Sequence, residues 1–121
     1  MLVVFMSLTG QTRKFVKKLG WPSLEITLDN AFTEIHEPFI FLAPTYETEA
    51  TDIIGDFLET GVNRQYLKGF AGSGNLNFGK LYCFTAKDYS QAYKVPLLHQ
   101  FEFQGTLEDV ERLKNEVEKL G

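Results

Sequence analysis

Ser7-Leu8-Thr9-Gly10-Gln11-Thr12 sets three hydroxyls and a glycine close together near the start of the chain. Hydroxyls donate hydrogen bonds to anionic oxygens, and glycine lets a backbone turn tightly. The segments on either side say where this cluster must sit. Leu2-Val3-Val4-Phe5 ahead of it reads as a buried strand, and Phe15, Val16 and Leu19 behind it fall on one face of a helix. The cluster is then a strand-to-helix turn. It aims free backbone N–H groups and the positive end of a helix dipole at one point, which suits a phosphate. A capped helix with no ligand has the same residue types, so composition alone leaves both readings open.

Commoner phosphate loops do not match. A Walker loop ends in Gly-Lys-Ser/Thr, but Gly10 is followed by Gln11. A dinucleotide fingerprint needs three spaced glycines, and this turn has Gly10 alone. What remains suits one terminal phosphomonoester. The pattern S/T-x-T-G-x-T resembles the phosphate loop of flavodoxins, which hold the phosphate of FMN.

Five strands alternating with helices organise the rest of the chain. The first helix stops near Gly20, with Trp21-Pro22 beyond it. Leu24-Glu25-Ile26-Thr27-Leu28 alternates as a half-exposed second strand. Phe39-Ile40-Phe41-Leu42-Ala43 is uninterrupted and reads as a buried central strand. A helix is expected over Asp52–Leu58, a Gly-rich fourth strand over Leu67–Gly72, and a helix over Thr85–Tyr93. Val95–Phe103 reads as the last strand, with Pro96 at its start where a missing N–H is tolerated. Thr106 and Asp109 resemble a capping box, and Val110, Leu113, Val117 and Leu120 share the face of a final helix. The expected fold is a flavodoxin-like, three-layer, doubly wound α/β domain. Its parallel five-stranded sheet has the order 2-1-3-4-5. In this order a ligand sits beyond the carboxyl ends of strands 1 and 3, a general rule with flavodoxin among its known cases.

Three unusual segments follow strands and therefore meet at one sheet edge. They are Ser7–Thr12, Pro44-Thr45-Tyr46-Glu47-Thr48-Glu49-Ala50 and Gly72-Ser73-Gly74-Asn75-Leu76-Asn77-Phe78-Gly79. The first can hold phosphate while the other two clasp a flat ring. Tyr46 and Phe78, with Tyr82 as a third, are the aromatic candidates for its faces. Each of them suits core packing equally. Ser73, Gly74, Asn75 and Asn77 offer donors to a pyrimidine-like edge, and Gly79 permits close approach. Cys83 reads as a packed or wall residue.

Composition bounds the remaining possibilities. A chain of 121 residues, 44% hydrophobic, suits one domain with its own core. Twelve basic against sixteen acidic residues, net -4, do not suit a nucleic-acid binder. No apolar run approaches the roughly 20 residues of a membrane span, and Met1–Phe5 is too short for a signal peptide. A single cysteine makes no internal disulfide, so a cytoplasmic home is expected. His36 and His99 lie far apart, no cluster has metal-ligand spacing, and Ser7 lacks a nucleophile-elbow motif. Pro44-Thr45 stands where a response regulator would carry its acceptor aspartate.

Two further segments are more specific. Gly69-Phe70-Ala71-Gly72-Ser73-Gly74-Asn75-Leu76-Asn77-Phe78-Gly79 resembles the G-x-x-x-SGN-x-N-F/W-G segment of the ribonucleotide reductase stimulatory flavoproteins, the NrdI family. Val95-Pro96 followed by Phe101-Glu102-Phe103-Gln104-Gly105-Thr106 resembles that family's VP…FEL-x-GT ending. The resemblance implies non-covalent FMN and a partnership with the radical-bearing small subunit of a class Ib ribonucleotide reductase. A flavin reductant would supply electrons, and reduced flavin would react with dioxygen to give superoxide for the partner's radical site. The family's phosphate role carries to Ser7, Thr9, Gly10, Gln11 and Thr12, with Leu8 between them. Its ring-contact role carries to Ser73, Gly74, Asn75, Asn77 and Phe78. The cofactor-binding set is completed by Pro44, Thr45, Tyr46, Glu47, Thr48, Gly79, Tyr82 and Cys83.

The strand-3 loop departs from the many members that are Gly-rich there. Glu47 and Glu49, with nearby Asp52, would disfavour an anionic reduced flavin if they approached it. A generic electron-transfer flavodoxin is the alternative function. The short chain and the SGNxN segment argue against it.

Overall fold

The computed structural model describes residues 1–46 and 48–120; Glu47 and Gly121, and the side chains of Thr48, Glu49, Phe78 and Lys80, lie outside the described residues. The strands are β1 (Leu2–Phe5), β2 (Ser23–Glu25), β3 (Phe39–Ala43), β4 (Leu67–Gly74) and β5 (Leu97–Glu102). They form one sheet in the order β2-β1-β3-β4-β5, with every neighbouring pair parallel. Helices α1 (Gln11–Leu19), α2 (Thr48–Leu58), α3 (Asn63–Tyr66), α4 (Phe84–Tyr93) and α5 (Leu107–Glu118) connect and flank the strands.

Each sheet face has its own core. Phe15, Val16 and Leu19 of α1 and Val110 and Leu113 of α5 pack on Val3, Phe5, Ile40 and Leu42. Ile54, Phe57 and Leu58 of α2 and Ala86 of α4 pack on Val4, Phe39, Phe41 and Phe70. All five residues of β3 are buried, which explains why this strand has no polar residue. Close approach of α4 to β4 depends on Gly72, because a Cβ there would lie 2.6 Å from the Ala86 Cβ. The capping box of α5 is formed. The Thr106 hydroxyl accepts from the Asp109 N–H at 3.2 Å, and the Asp109 carboxylate accepts from the Thr106 N–H at 2.9 Å.

Several boundaries differ from the sequence reading. Strand β2 stops at Glu25 and does not run to Leu28, because Asn30 closes a turn over that segment. Its Oδ1 accepts from the Thr27 N–H at 2.6 Å, and its Nδ2 donates to the Glu25 carbonyl at 2.9 Å. Ile26 remains buried while Leu28 is 83% exposed. Strand β4 continues to Gly74, so Ser73 and Gly74 belong to the strand end and pair with Phe101 and Glu102 of β5. Strand β5 is shorter than expected at both ends, and α2 starts four residues earlier, at Thr48 rather than Asp52. Leu120 is exposed and lies beyond α5, so only Val110, Leu113 and Val117 of the expected face pack inward. Asn63, fully buried, is an unforeseen clamp. It accepts from the Ile35 N–H and donates to the Thr33 and Phe57 carbonyls, tying the β2–β3 connection to the end of α2.

Candidate functional site

Beyond the carboxyl ends of β1, β3 and β4 lies a cavity of about 660 Å³. That size suits a cofactor or drug-sized ligand. The loop after β1 builds one end of it. Gly10 adopts φ 89° and caps α1, a left-handed conformation that glycine accepts without strain. The Ser7 hydroxyl accepts from the Gly10 N–H at 3.1 Å and from the Arg13 N–H at 3.4 Å, so this side chain holds the turn together. Leu8, Thr9, Gln11 and Thr12 line the cavity itself. The first-turn amides of Gln11 and Thr12 have no intrahelical acceptor. No acidic residue occupies the first turn of α1, while Lys17 and Lys18 stand in its last turn. The dipole is thus answered at the C-terminus and left open to an anion at the N-terminus. Arg13 is engaged elsewhere, in a two-pronged pair with Glu25 at 2.7 Å on both oxygens, and this contact holds the Glu25 carboxyl below its ordinary value. Charge-neutral hydroxyls and amides are therefore the donors facing the cavity at this end.

The floor is made by the end of β4. Ser73 and Thr12 are both buried, and their hydroxyl oxygens lie 3.4 Å apart across 61 residues of sequence. The Thr45 hydroxyl donates to the Ser73 carbonyl at 2.6 Å, locking the β3 loop to the same point. Gly74 lies hard against its neighbours, since a Cβ there would be 3.0 Å from the Cys83 N and 3.2 Å from Thr45 Oγ1. Pro44, Thr45 and Tyr46 form the side contributed by β3, and Ser73, Gly74 and Asn75 that contributed by β4. Asn75 then caps a 3-10 turn over Leu76–Leu81, its Oδ1 accepting from the Asn77 N–H at 2.9 Å.

Among the described residues, the candidates Asn77, Gly79, Tyr82 and Cys83 are not part of the cavity's lining. Cys83 is fully buried behind Gly74, and its thiol donates to the Gly72 carbonyl at 3.4 Å. Burial pushes that thiol up to about 11, so it is neutral at physiological pH and belongs to the packing. Tyr82 is half-buried, with burial raising its phenol and the Lys87 ammonium 5.9 Å from its ring centroid. Asn77 and Gly79 are exposed in the 3-10 turn, Gly79 with φ 57°. Glu47 and the side chains of Thr48, Glu49 and Phe78 lie outside the described residues.

Three lining residues escaped the sequence reading: Leu81, Phe84 and Phe103. Phe84 opens α4 immediately after Cys83, and Leu81 ends the 3-10 turn. Phe103 follows β5 directly, with φ 51° in a residue that is not glycine. Such a conformation costs of order 1–3 kcal/mol and marks a position worth a functional reading. The available signal was its place in the Phe-Glu-Phe-Gln-Gly-Thr segment, directly after the last strand.

A match to the family described as NrdI Flavodoxin like runs over residues 3–115. The chain belongs to the NrdI flavodoxin-like family. A Protein NrdI of Wigglesworthia glossinidia brevipalpis is 41% identical over 125 residues, covering 98% of this chain and 89% of that one. A Protein NrdI of Streptococcus pyogenes is 38% identical over 120 residues, covering 93% of this chain and 83% of that one. Among solved structures, a short-chain flavodoxin associated with a bacterial microcompartment has a TM-score of 0.67 at 21% identity, covering 98% and 94% of the two chains. A flavodoxin of Streptococcus pneumoniae has a TM-score of 0.62 at 22% identity, covering 98% and 95%. These two similarities establish the fold. Membership of the NrdI family makes the chain a flavodoxin-type flavoprotein tied to ribonucleotide reduction. Among the described residues no group of side chains is placed to hold a metal ion, and no helix is long and apolar enough to cross a membrane.

Proposed function

We propose that this chain binds FMN without a covalent bond and activates the radical-bearing small subunit of a class Ib ribonucleotide reductase in the cytoplasm. The observation that carries the reading is the cavity. An anion-ready helix start stands at one end, and a ring-sized space lies between the β3 and β4 loops. The residues present fit the cofactor by the chemistry of their donors. Thr9 and Thr12 hydroxyls and first-turn amides suit a phosphate, and the side chains of Leu8, Tyr46, Leu81 and Phe84 give the cavity apolar surface that suits a flat ring. When bound, reduced flavin supplies the electron that converts dioxygen to superoxide, and a separate reductant restores it. The protein's own part is to hold the phosphate, orient the ring and present its open edge to the partner.

That edge is bordered by exposed apolar side chains. Leu8 and Leu81, which line the cavity, are 46% and 58% exposed, and Leu76, next in sequence to the lining residue Asn75, is 59% exposed. An apolar rim around a ligand mouth suits a sealed protein contact. The test supplies reduced, FMN-loaded protein and dioxygen to the cognate small subunit and measures radical yield. Wild-type protein is expected to generate the radical. Leu76→Asp is expected to keep FMN and lose most of the yield, because an unpaired carboxylate buried at the contact costs several kcal/mol. Absence of radical with the wild type would sink the activator reading, while full yield from Leu76→Asp would remove this loop from the contact.

A further inference from the structure

Phe103 is a half-exposed aromatic residue that the activator reading does not use. It occupies the second position of a tight turn closed by the Gly105 N–H donating to the Glu102 carbonyl at 2.8 Å. A positive φ at that position favours glycine, yet the chain carries phenylalanine with φ 51°. Among the described residues, the other non-glycine positions with positive φ have local explanations. Cys83 and Lys94 are the two caps of α4. Phe103 caps no helix and is 52% exposed, so core burial does not account for its ring. Phe103 is one of the residues that line the cavity.

The turn is held from several directions. The Phe103 N–H donates to the Gly74 carbonyl at 3.2 Å, at the cavity floor. Glu102 accepts from the Leu76 N–H at 3.2 Å, tying the same strand end to the 3-10 turn. On the other side Lys18 of α1 donates to the Gln104 and Gly105 carbonyls at 3.3 and 2.9 Å. A strained conformation persists where its surroundings over-determine it, and here they fix the backbone of an aromatic residue that lines the cavity.

We infer that Phe103 is a wall of the ring-binding part of the cavity, so that the turn after β5 contributes an aromatic face to the bound flavin. The inference rests on the FMN reading. Its test compares wild type, Phe103→Gly and Phe103→Leu as apoprotein, measuring thermal stability, affinity for FMN and for riboflavin, and the visible circular dichroism of the bound ring. In Phe103→Gly relief of the backbone strain offsets loss of the ring's buried half, so the apoprotein is expected to melt close to the wild-type temperature. Affinity for both flavins should fall by about tenfold, the order of one lost aromatic wall, with the ratio between them unchanged. Phe103→Leu, apolar but not flat, should fall between the two and alter the dichroism. Wild-type affinity and dichroism for both flavins in Phe103→Gly would overturn the inference and leave the FMN reading standing. So would lost binding accompanied by a lower apoprotein melting temperature, which would make the residue a support of the turn. A wild-type protein that binds neither flavin would overturn the inference and the FMN reading together.

Discussion

Thr12 offers the sharpest probe of the end of the cavity proposed to hold phosphate. The residue is 2% exposed and lines the cavity, and its side-chain partner among the described residues is distant, with the Ser73 oxygen at 3.4 Å. Replacing Thr12 with Val keeps the shape and removes the hydroxyl. Loss of the long bond to Ser73 belongs at the low end of a neutral hydrogen bond, about 0.5 kcal/mol of apoprotein stability. A hydrogen bond to a charged group contributes roughly 1.5–3 kcal/mol. If the hydroxyl donates to phosphate, FMN affinity falls by about 10- to 100-fold. Thr9→Val in the same loop adds a second loss of the same kind, because Thr9 also borders the cavity. Riboflavin has the ring without the phosphate, so its affinity should change little in either variant. The assay is titration of apoprotein with each flavin, read by flavin fluorescence and checked by calorimetry. Equal losses for FMN and riboflavin would refute the placement of phosphate at α1. An unchanged FMN affinity in the double variant would refute any role for these hydroxyls.

Gly72→Ala places a Cβ 2.6 Å from the Ala86 Cβ, so α4 must shift outward. Overpacking of this kind costs about 1–3 kcal/mol, read as a lower urea midpoint with an unchanged slope; Ala86→Gly in the same chain should recover part of it, and an unchanged midpoint in Gly72→Ala would refute the close contact. Acid stability should depend on Asp109, where burial opposes ionisation but hydrogen bonds from His99 and Thr106 outweigh it and hold the carboxyl below its ordinary value of 3.8. A depressed carboxyl pKa gives stability that is present above the ordinary value and lost as pH falls through the folded value. Asp109→Asn should therefore cost about 1 kcal/mol at neutral pH, and its gap from wild type should close in denaturant titrations below about pH 4. A gap that persists undiminished in acid would show that the charge on Asp109 contributes nothing.

Much of the site was legible in the sequence because it is built from local turn chemistry. Ser7–Thr12 follows a strand and opens a helix, and both facts are readable from apolar spacing over a dozen residues. The uninterrupted β3, the capping box at Thr106 and the glycines around Ser73 are likewise short-range signals. Parallel strands then bring their following loops to one edge, so the meeting of three segments followed from topology alone.

Other features depend on partners far away in the chain. Asn63 reads as an ordinary turn residue until Ile35, Thr33 and Phe57 supply its three hydrogen bonds. Thr12 and Ser73 become neighbours only when β1 and β4 flank β3. Which aromatics face the cavity was undecidable from periodicity, since Tyr82 and Phe84 both sit beside Cys83 and only Phe84 lines the space. Phe103 was read as the last residue of a strand, and its positive φ comes from the turn that Gly105, Gly74 and Lys18 impose around it. Local sequence determined which segments would be strands, helices and the loops that follow strands at the cavity, because those choices rest on spacing and turn residues. Tertiary structure decided which side chains point into the cavity, because direction is set by contacts between segments that the sequence does not place side by side.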